Sequence, residues 1–347
     1  MNTAMTLANL HNARGTATDP ADPGPGRSCP LHYRYPPAGF AIDAPPRLQA
    51  LDVLYVVGGL YGNEAALARV LELFGRERGR KRLVFNGDFH WFDADPEVFA
   101  RVQRDVLAHE ALRGNVETEL ADPDAEADAG CGCAYPDWVG DGVVERSNRI
   151  LARLRTVANA RQRAELSALP MWQRADVGPL RLGIVHGDAT SLAGWGFAQE
   201  HLRDAKHREQ VASWFDRADV DAFACTHTCL PVFQAIRGGP GGQPRWVLNN
   251  GATGMPNFQG DRAGLLTRLA VSPFEGHERR FGMALAAGEV HVDAIGVEFD
   301  ADAWLRRFGH QWPPGSDAHL SYFDRIAEGP AFVPREALRD VQGEPLS

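Results

Sequence analysis

Four apolar runs in this chain each end in a short polar segment, and this pattern restricts the possible folds more than any other feature. The polar segments are Asn86-Gly87-Asp88, Arg113-Gly114-Asn115, Val185-His186-Gly187 and Thr226-His227-Thr228. Short apolar runs of this kind predict buried strands, and an open α/β sheet binds its ligands at strand ends. We therefore expect one Asp, one Asn and two His to converge on one site.

Helical spacing of apolar residues between these runs predicts a layered α/β fold. Asn63 is a predicted N-cap, and the apolar residues that follow it recur at i, i+3, i+4 and i+7. Further helices are predicted at residues 96–108, around 150–157 and at 197–217. Alternating strands and helices favour a sheet covered by helices.

After His227 the pattern changes to strands joined by Gly-rich turns. Neighbouring strands of a second sheet are predicted at residues 232–236, 245–248, 265–271 and 290–299, and helices at 302–308 and 318–327. The predicted division of the chain is an irregular Pro/Gly-rich arm at 1–48, an α/β domain at 49–300 with an insertion at 120–145, and a helical appendage with an irregular tail at 301–347.

The polar residues at the strand ends are suited to binding a metal. Carboxylate oxygen, amide oxygen and neutral imidazole are ligands that suit Mn, Zn or Fe, and their polar tips are costly to bury without a partner. Asp88 and Asn115 are also common turn and cap residues, and His186 and His227 could be hydrogen-bonded core histidines. The combination of all four favours the metal site.

The order of these segments resembles that of the calcineurin-like metallophosphoesterases, in which D-x-H, G-D, G-N, H-G and G-H-x-H follow one another. The resemblance spans residues 53–271 and is nearest to the small bacterial phosphodiesterase branch. That branch has G-H-T-H-x-P and N-P-G-S-V-G-x-P where this chain has Thr226-His227-Thr228-Cys229-Leu230-Pro231 and Asn249-Asn250-Gly251-Ala252-Thr253-Gly254-Met255-Pro256. The resemblance implies a four-layer α/β/β/α sandwich that binds divalent metals and hydrolyses phosphoesters.

The chain departs from the family pattern on one side of the family's two-metal site. Where the family has D-x-H-G-N, this chain has Gly59-Leu60-Tyr61-Gly62-Asn63, and where it has H-x-H, the chain has His227-Thr228-Cys229. The resemblance implies that one metal position has lost three of its four ligands. The other position maps completely onto Asp88, Asn115, His186 and His227.

This one-sided loss predicts a mononuclear or rebuilt centre. A rebuilt centre would use Tyr61 phenolate and Cys229 thiolate as ligands, which shifts the preference toward Fe or Zn. Alternatively, the two side chains only fill space, Cys229 as a small hydrophobe and Tyr61 with its ring packed and its hydroxyl facing the cavity.

Three further residues are candidates for catalysis. Asn115 would act on the substrate as well as on the metal, and His90 would reach the metal or donate a proton, with Asp93 orienting it. Packing beside Trp91 is an equal alternative for His90. Asp188 either holds an imidazole N–H as a supporting carboxylate or caps the next turn.

Two residues next to Asn115 bear on the reaction. Glu117 matches an acidic residue that often follows G-N-x in the family, and Val116 stands where other branches have a His that protonates the leaving group. This departure argues against fast monoester hydrolysis.

The cysteines do not form a recognisable framework. Their number is five, and an odd, thinly spread set fits a reduced compartment better than a set of disulfides. Cys131-Gly132-Cys133 lacks the spacing of a zinc knuckle, so it predicts a loop with two thiols, in an insertion that could bring a thiolate to the pocket.

Composition excludes several classes of function. The net charge is −9, from 36 Lys and Arg against 45 Asp and Glu, which disfavours wrapping of nucleic acid. No apolar run reaches the roughly 18 residues of a membrane span, and the first residues lack a signal-peptide pattern. We expect a cytoplasmic protein with a small-molecule phosphoester substrate. The oligomeric state is open.

Three functions are compatible with these features. The first is a metal-dependent phosphoesterase-like hydrolase with a Mn, Zn or Fe ion. The second is a catalytically silent member of the superfamily that binds a ligand in the same pocket. The third is an iron redox enzyme that uses Tyr61 and Cys229.

Overall fold

The computed structural model describes residues 25–27, 29–41, 48–122 and 130–346, which form two β-sheets with flanking helices. Most of the predicted arm, at 1–24, 28 and 42–47, lies outside the described residues. The same holds for residues 123–129 of the predicted insertion. Within the described part of the chain, no helix is both long enough and apolar enough to cross a bilayer.

The first sheet has seven strands and carries both candidate histidines. In spatial order its strands are β1 (Leu48–Leu51), β5 (Trp172–Val177), β6 (Leu180–Val185), β7 (Ala222–Cys225), β9 (Arg245–Asn249), β8 (Val232–Ile236) and β13 (Leu338–Arg339). Because β6 and β7 are parallel neighbours, the residues that follow them meet at one edge of the sheet.

The second sheet has six strands and carries the candidate Asp and Asn. In spatial order its strands are β11 (Arg279–Leu285), β12 (Val290–Val297), β10 (Gly264–Ala270), β2 (Val53–Val57), β3 (Lys81–Asn86) and β4 (Glu110–Leu112). Strands β2, β3 and β4 are parallel, so Asp88 and Asn115 also follow strands that end at one edge.

Eight α-helices connect or flank these strands in the described residues. They are α1 (Glu64–Arg76), α2 (Pro96–Leu107), α3 (Asn115–Ala121), α4 (Asp141–Arg155), α5 (Ala160–Ser167), α6 (Ala205–Ala218), α7 (Ala301–Gln311) and α8 (Asp317–Glu328). Asn63 caps α1 as predicted, since its side chain accepts the N–H of Ala66. Helix α6 begins later than the predicted 197, because Asp204 caps it through the N–H of His207.

Alternation along the strands produces the four layers. On β2, Leu54 and Val56 belong to the core between the two sheets, whereas Val53, Tyr55 and Val57 belong to a core shared with helices. On the first sheet, the outward face packs against α6 and the described part of the N-terminal arm. The predicted α/β/β/α sandwich is therefore confirmed.

The strands after His227 are distributed differently from the prediction. The predicted single second sheet is wrong, because β8 and β9 join the first sheet while β10 and β12 join the second. Strand β9 pairs in parallel with β7, and β10 pairs antiparallel with β2. The predicted irregular tail also contributes β13, which pairs in parallel with β8. Apolar strands buried on both faces look alike in sequence, so partner choice depends on tertiary packing.

The described part of the N-terminal arm packs on the body of the protein. Tyr33, Tyr35 and Phe40 are buried. The Tyr35 hydroxyl donates to the carbonyl of Asp188, and the Phe40 ring packs against Trp172 at a centroid distance of 4.4 Å.

Asn86 joins the two sheets where their parallel strands end. Its side-chain Nδ2 donates to the carbonyl of Val185 at 2.7 Å, and its own carbonyl accepts from His186 Nδ1 at 2.8 Å. Asn86 is fully buried, so these bonds have no competition from water. They fix the end of β3 against the end of β6.

We predict that Asn86→Ala lowers the free energy of unfolding by about 1–3 kcal/mol, because it leaves the buried carbonyl of Val185 without its donor. Urea unfolding followed by circular dichroism measures this change. Gln259→Ala truncates an exposed amide and serves as the control, with a change near zero. Equal unfolding midpoints for the two variants would contradict the role of Asn86.

Candidate metal centre

The backbone after β3 turns sharply and directs Asp88 toward the gap between the sheets. Gly87 and Asp88 both have positive φ, at 78° and 53°. A Cβ at Gly87 would lie 2.5 Å from the backbone nitrogen of Gly114, so this position requires glycine. The close approach also places Asp88 beside the first turn of α3, where its Oδ1 accepts the N–H of Val116 at 3.2 Å.

His186 Nε2 is the point on which the four candidate ligands converge. It lies 3.2 Å from Asp88 Oδ2, 3.2 Å from Asn115 Oδ1 and 3.2 Å from His227 Nδ1. The ligand atoms of Asp88, His186 and His227 all lie within 4.8 Å of one another. These distances confirm the prediction from the sequence that the four side chains lie close together.

Hydrogen bonds alone cannot account for the close approach of these polar atoms around His186 Nε2. His186 Nδ1 is paired with the Asn86 carbonyl, and Nε2 can carry at most one proton for three neighbouring acceptors. At least two of the three 3.2 Å contacts therefore bring lone pairs together without a shared proton. A divalent transition-metal cation resolves such a contact, and one carboxylate oxygen, one amide oxygen and two imidazole nitrogens form a suitable donor set.

The loop at Cys131 and Cys133 orients two of the four candidate ligands through its backbone carbonyls. The Cys131 carbonyl accepts Asn115 Nδ2 at 2.9 Å, which turns Oδ1 of that amide toward His186. The Cys133 carbonyl accepts His227 Nε2 at 3.1 Å, which leaves Nδ1 of that ring facing the site. Supporting hydrogen bonds of this kind fix the tautomer and the orientation of metal ligands.

Sequence reasoning missed this role of the loop. The sequence pointed to the thiols, and the Cys133 thiol does lie at the cavity, 3.4 Å from Asn115 Nδ2. It did not indicate that the backbone carbonyls of Cys131 and Cys133 hold Asn115 and His227. The neighbouring glycines were the available signal, because Gly130 and Gly132 both adopt positive φ, at 57° and 66°. Burial raises the pKa of the Cys133 thiol well above its usual value.

Burial and charge give the two histidines opposite protonation behaviour. Burial lowers the pKa of His227 to about 4, with the nearby His186 adding to the effect. Burial also acts to lower the pKa of His186, but the Asp88 carboxylate outweighs it and the net shift is upward. For Asp88, burial acts to raise the pKa, and His186 outweighs it so that the pKa is lowered.

Glu117 holds the two loops that carry Asp88 and Asn115. Its carboxylate accepts the backbone N–H groups of Asp88 at 2.7 Å, Phe89 at 2.9 Å and Gly114 at 2.9 Å. Its side chain is fully buried, and burial raises its pKa. Glu117 therefore acts by positioning the backbone.

Tyr61 and Cys229 contact each other at the side of the site where the family pattern is lost. Tyr61 Oη lies 2.9 Å from Cys229 Sγ, and Sγ also lies 3.3 Å from the carbonyl of His227. Both residues adopt the left-handed conformation, with φ of 55° and 62°, which is uncommon for side chains of this size. A Cβ at Gly59 would lie 2.9 Å from the Tyr61 ring and hydroxyl. The Tyr61 ring therefore fills the space next to Gly59.

Two predicted catalytic residues do not line the cavity. His90 is fully buried, stacks on Phe99 at a centroid distance of 3.6 Å and pairs with Asp93 at 2.7 Å, so it is packed behind the site. Asp188 accepts the N–H groups of Thr190 at 2.8 Å and of Gly196 at 3.0 Å, so its carboxylate caps a turn. The His186 ring nitrogen predicted for Asp188 is taken by the Asn86 carbonyl.

A cavity opens at Asp88, Asn115 and His227, and six aromatic side chains contribute to its wall. The aromatic lining residues are Tyr61, Trp91, Tyr135, Trp138, Trp195 and Tyr322. The Trp138 and Trp195 rings stand nearly perpendicular, at 85°, and the Trp195 indole N–H donates to the Cys133 carbonyl at 2.8 Å. Two lining residues, Tyr322 and Arg325, come from α8, which the sequence had assigned to an appendage.

Comparison with known proteins places this architecture among solved folds. Neither a family model nor a curated protein matches the chain. A hypothetical protein from Pyrococcus horikoshii OT3 has a similar structure, with a TM-score of 0.54 and 14% sequence identity over 81% of this chain and 99% of that chain. A metallophosphoesterase from Sphaerobacter thermophilus has a TM-score of 0.47 and 17% sequence identity to this chain, over 80% of this chain and 99% of that chain.

The chain shares the α/β/β/α sandwich fold of the Pyrococcus horikoshii protein. Because sequence identity to these structures is low, the similarity concerns the fold. In this sandwich, Asp88, Asn115, His186 and His227 form one set of four converging donors.

We predict that the two histidines titrate in different pH ranges in protein freed of metal by chelation. His227 should stay neutral, with its proton on Nε2, until the pH approaches about 4. Its contribution to stability is then lost as the pH falls from its ordinary pKa of about 6.5 toward 4. The raised pKa of His186 has the opposite sign, so its contribution is lost as the pH rises through that pKa.

Long-range ¹H–¹⁵N NMR of the imidazole nitrogens measures both titrations and both tautomers. The variants His186→Gln and His227→Gln assign the signals. A His227 ring that gains its second proton near pH 6.5, or that carries its neutral-form proton on Nδ1, would contradict the geometry.

Proposed function

We propose that this protein is a metal-dependent phosphoesterase with one metal ion held by Asp88, Asn115, His186 and His227. One observation carries the proposal: three ligand atoms surround His186 Nε2 at 3.2 Å while the remaining polar atoms of Asn115, His186 and His227 are bound to backbone carbonyls. The donor types favour Mn, Zn or Fe. The resemblance of the strand-end segments to those of the metallophosphoesterases supports the reaction class.

A divalent ion at these residues would supply Lewis-acid polarisation of a phosphoryl oxygen and activation of a water nucleophile. The chain's own groups hold the geometry for this chemistry. Glu117 fixes the backbone of Asp88, and the loop carbonyls of Cys131 and Cys133 fix the Asn115 amide and the His227 ring. The aromatic wall around the cavity limits access of bulk water to the reacting group.

We infer that Tyr61 and Cys229 replace the second metal of the family's site. Their mutual contact and the space that the Tyr61 ring takes beside Gly59 support this reading. Burial raises the pKa of both groups, which favours a neutral phenol and thiol as packing partners. This arrangement gives a mononuclear centre.

The cavity wall favours a particular kind of substrate. Val116 lines the cavity at the position where other branches have the His that protonates the leaving group, and its side chain cannot transfer a proton. A good leaving group, such as a phenolate, needs no such acid. Aromatic surfaces at Trp138 and Trp195 suit an apolar or aromatic ester group. We therefore propose a small-molecule phosphodiester with an aromatic or apolar alcohol as the substrate class.

The proposed location is the cytoplasm. All five cysteines are free thiols, which is the usual state in a reducing compartment.

We predict that the native protein binds about one Mn or Zn ion per chain, and that His186→Ala and His227→Ala each weaken binding at least ~10-fold. Elemental analysis after dialysis against a buffered metal solution measures the content. His310→Ala, which removes an exposed imidazole, is the matched control and should keep the native content. Full occupancy in both site variants would show that these residues are not ligands.

We predict weak but measurable hydrolysis of bis(4-nitrophenyl) phosphate with added Mn²⁺, and a loss in kcat/KM on the order of 10²–10³ in Asp88→Asn. The reason is that the substitution removes the one carboxylate of the donor set. Asp302→Asn, at an exposed position, should retain native turnover. Turnover that survives Asp88→Asn would locate the activity elsewhere.

The same measurements separate the other two functions. Well-metallated native protein without turnover would favour a ligand-binding member of the fold. Bound iron with a visible tyrosinate or thiolate absorption that disappears in Tyr61→Phe or Cys229→Ser would favour the redox enzyme.

A further inference from the structure

We propose that Arg325, on α8, binds a non-bridging phosphoryl oxygen of the substrate. The proposal rests on the phosphoesterase function proposed above and adds a residue that lies outside the segments resembling the family. Arg325 lines the cavity together with Tyr322, one helical turn earlier on the same face of α8.

The guanidinium of Arg325 is buried without a negative partner. Arg325 is 1% exposed, and no carboxylate of a described residue lies within 4.0 Å of its nitrogens. Nε and Nη2 donate to the Pro256 carbonyl at 3.3 Å each, and Nη2 also donates to the Cys229 carbonyl. These acceptors are neutral, so the positive charge remains uncompensated. A buried charge is costly without an opposite charge, and arginine does not lose its proton in proteins.

Two other buried arginines show what is unusual about Arg325. Arg268 is paired with Glu77 and with Asp293. The carboxylates of Glu200, Glu336 and Glu344 act on the Arg339 charge, and all three of its guanidinium nitrogens donate to oxygen atoms. Among the hydrogen bonds of described residues, none involves Arg325 Nη1. One donor group of Arg325 is therefore available to a ligand in the cavity.

The charges around the cavity fit a phosphoryl group. Arg325 is the only Arg or Lys among the described residues that line it. The lining also contains two carboxylates, those of Asp88 and Glu200, so a divalent ion and Arg325 together leave a net charge of +1. A phosphodiester or phosphate anion balances this charge.

The test compares Arg325→Gln, which keeps amide donors but removes the charge, with Arg325→Lys and the control Arg306→Gln on the exposed face of α7. Inorganic phosphate is titrated by calorimetry into Mn-loaded protein, and metal content is measured on the same samples. We expect Arg325→Gln to weaken phosphate binding by about 10- to 100-fold at unchanged metal content. Arg325→Lys should recover part of the affinity, and Arg306→Gln should bind phosphate as the native protein does.

A second measurement uses the native protein and does not depend on the folding of a variant. In protein labelled with ¹⁵N-arginine, the Arg325 Nε–H signal is identified as the one that is missing from the Arg325→Lys spectrum. This signal should shift when phosphate is added to the native protein, and the signals of other arginines should shift less. An unshifted Arg325 signal at saturating phosphate, or native phosphate affinity in folded Arg325→Gln, would overturn the proposal. Arg325 would then only hold the carbonyls of Cys229 and Pro256.

These outcomes are independent of catalysis. Phosphate binding that depends on Arg325, without hydrolysis of any phosphoester, would refute the proposed function and leave the anion site intact. Hydrolysis that is lost in Asp88→Asn but unchanged in Arg325→Gln would refute only the role of Arg325.

Discussion

The hydrogen bonds between Asn86 and the end of β6 are the constraint on which the candidate site depends. Two donors come from loops of one sheet and two from loops of the other, so their distances are set by how the sheets meet. The Asn86 side chain donates to the carbonyl of Val185, the last residue of β6. The Asn86 carbonyl accepts from the imidazole of His186, the next residue along the chain. The same residue thus fixes the spacing of the sheets and the tautomer of His186.

Sequence patterns predicted the parts of the fold that depend on local periodicity and on strand-end polarity. The runs before Asp88, Asn115, His186 and His227 are strands, and the four side chains meet. The pairing of β8 and β9 with the first sheet was not predictable in the same way. The sequence of a strand that is buried on both faces does not indicate which strand it pairs with.

Two features of the site could not be predicted from the sequence, each for a physical reason. The loop at Cys131 and Cys133 acts through backbone carbonyls, which every residue has, so the residue types do not reveal the role. Arg325 reaches the cavity from a helix that lies about 100 residues after His227 and outside the matched segments. His90 shows the opposite error: its position two residues after Asp88 suggested catalysis, but the chain turns its ring into the core.

The position of α8 in the chain also bears on when the site forms during synthesis. The cavity receives Tyr322 and Arg325 from α8, while its remaining walls come from segments that leave the ribosome much earlier. All four donors and the central strands of both sheets precede α8 in the chain. The order of synthesis therefore completes this wall of the cavity last, after the four donors.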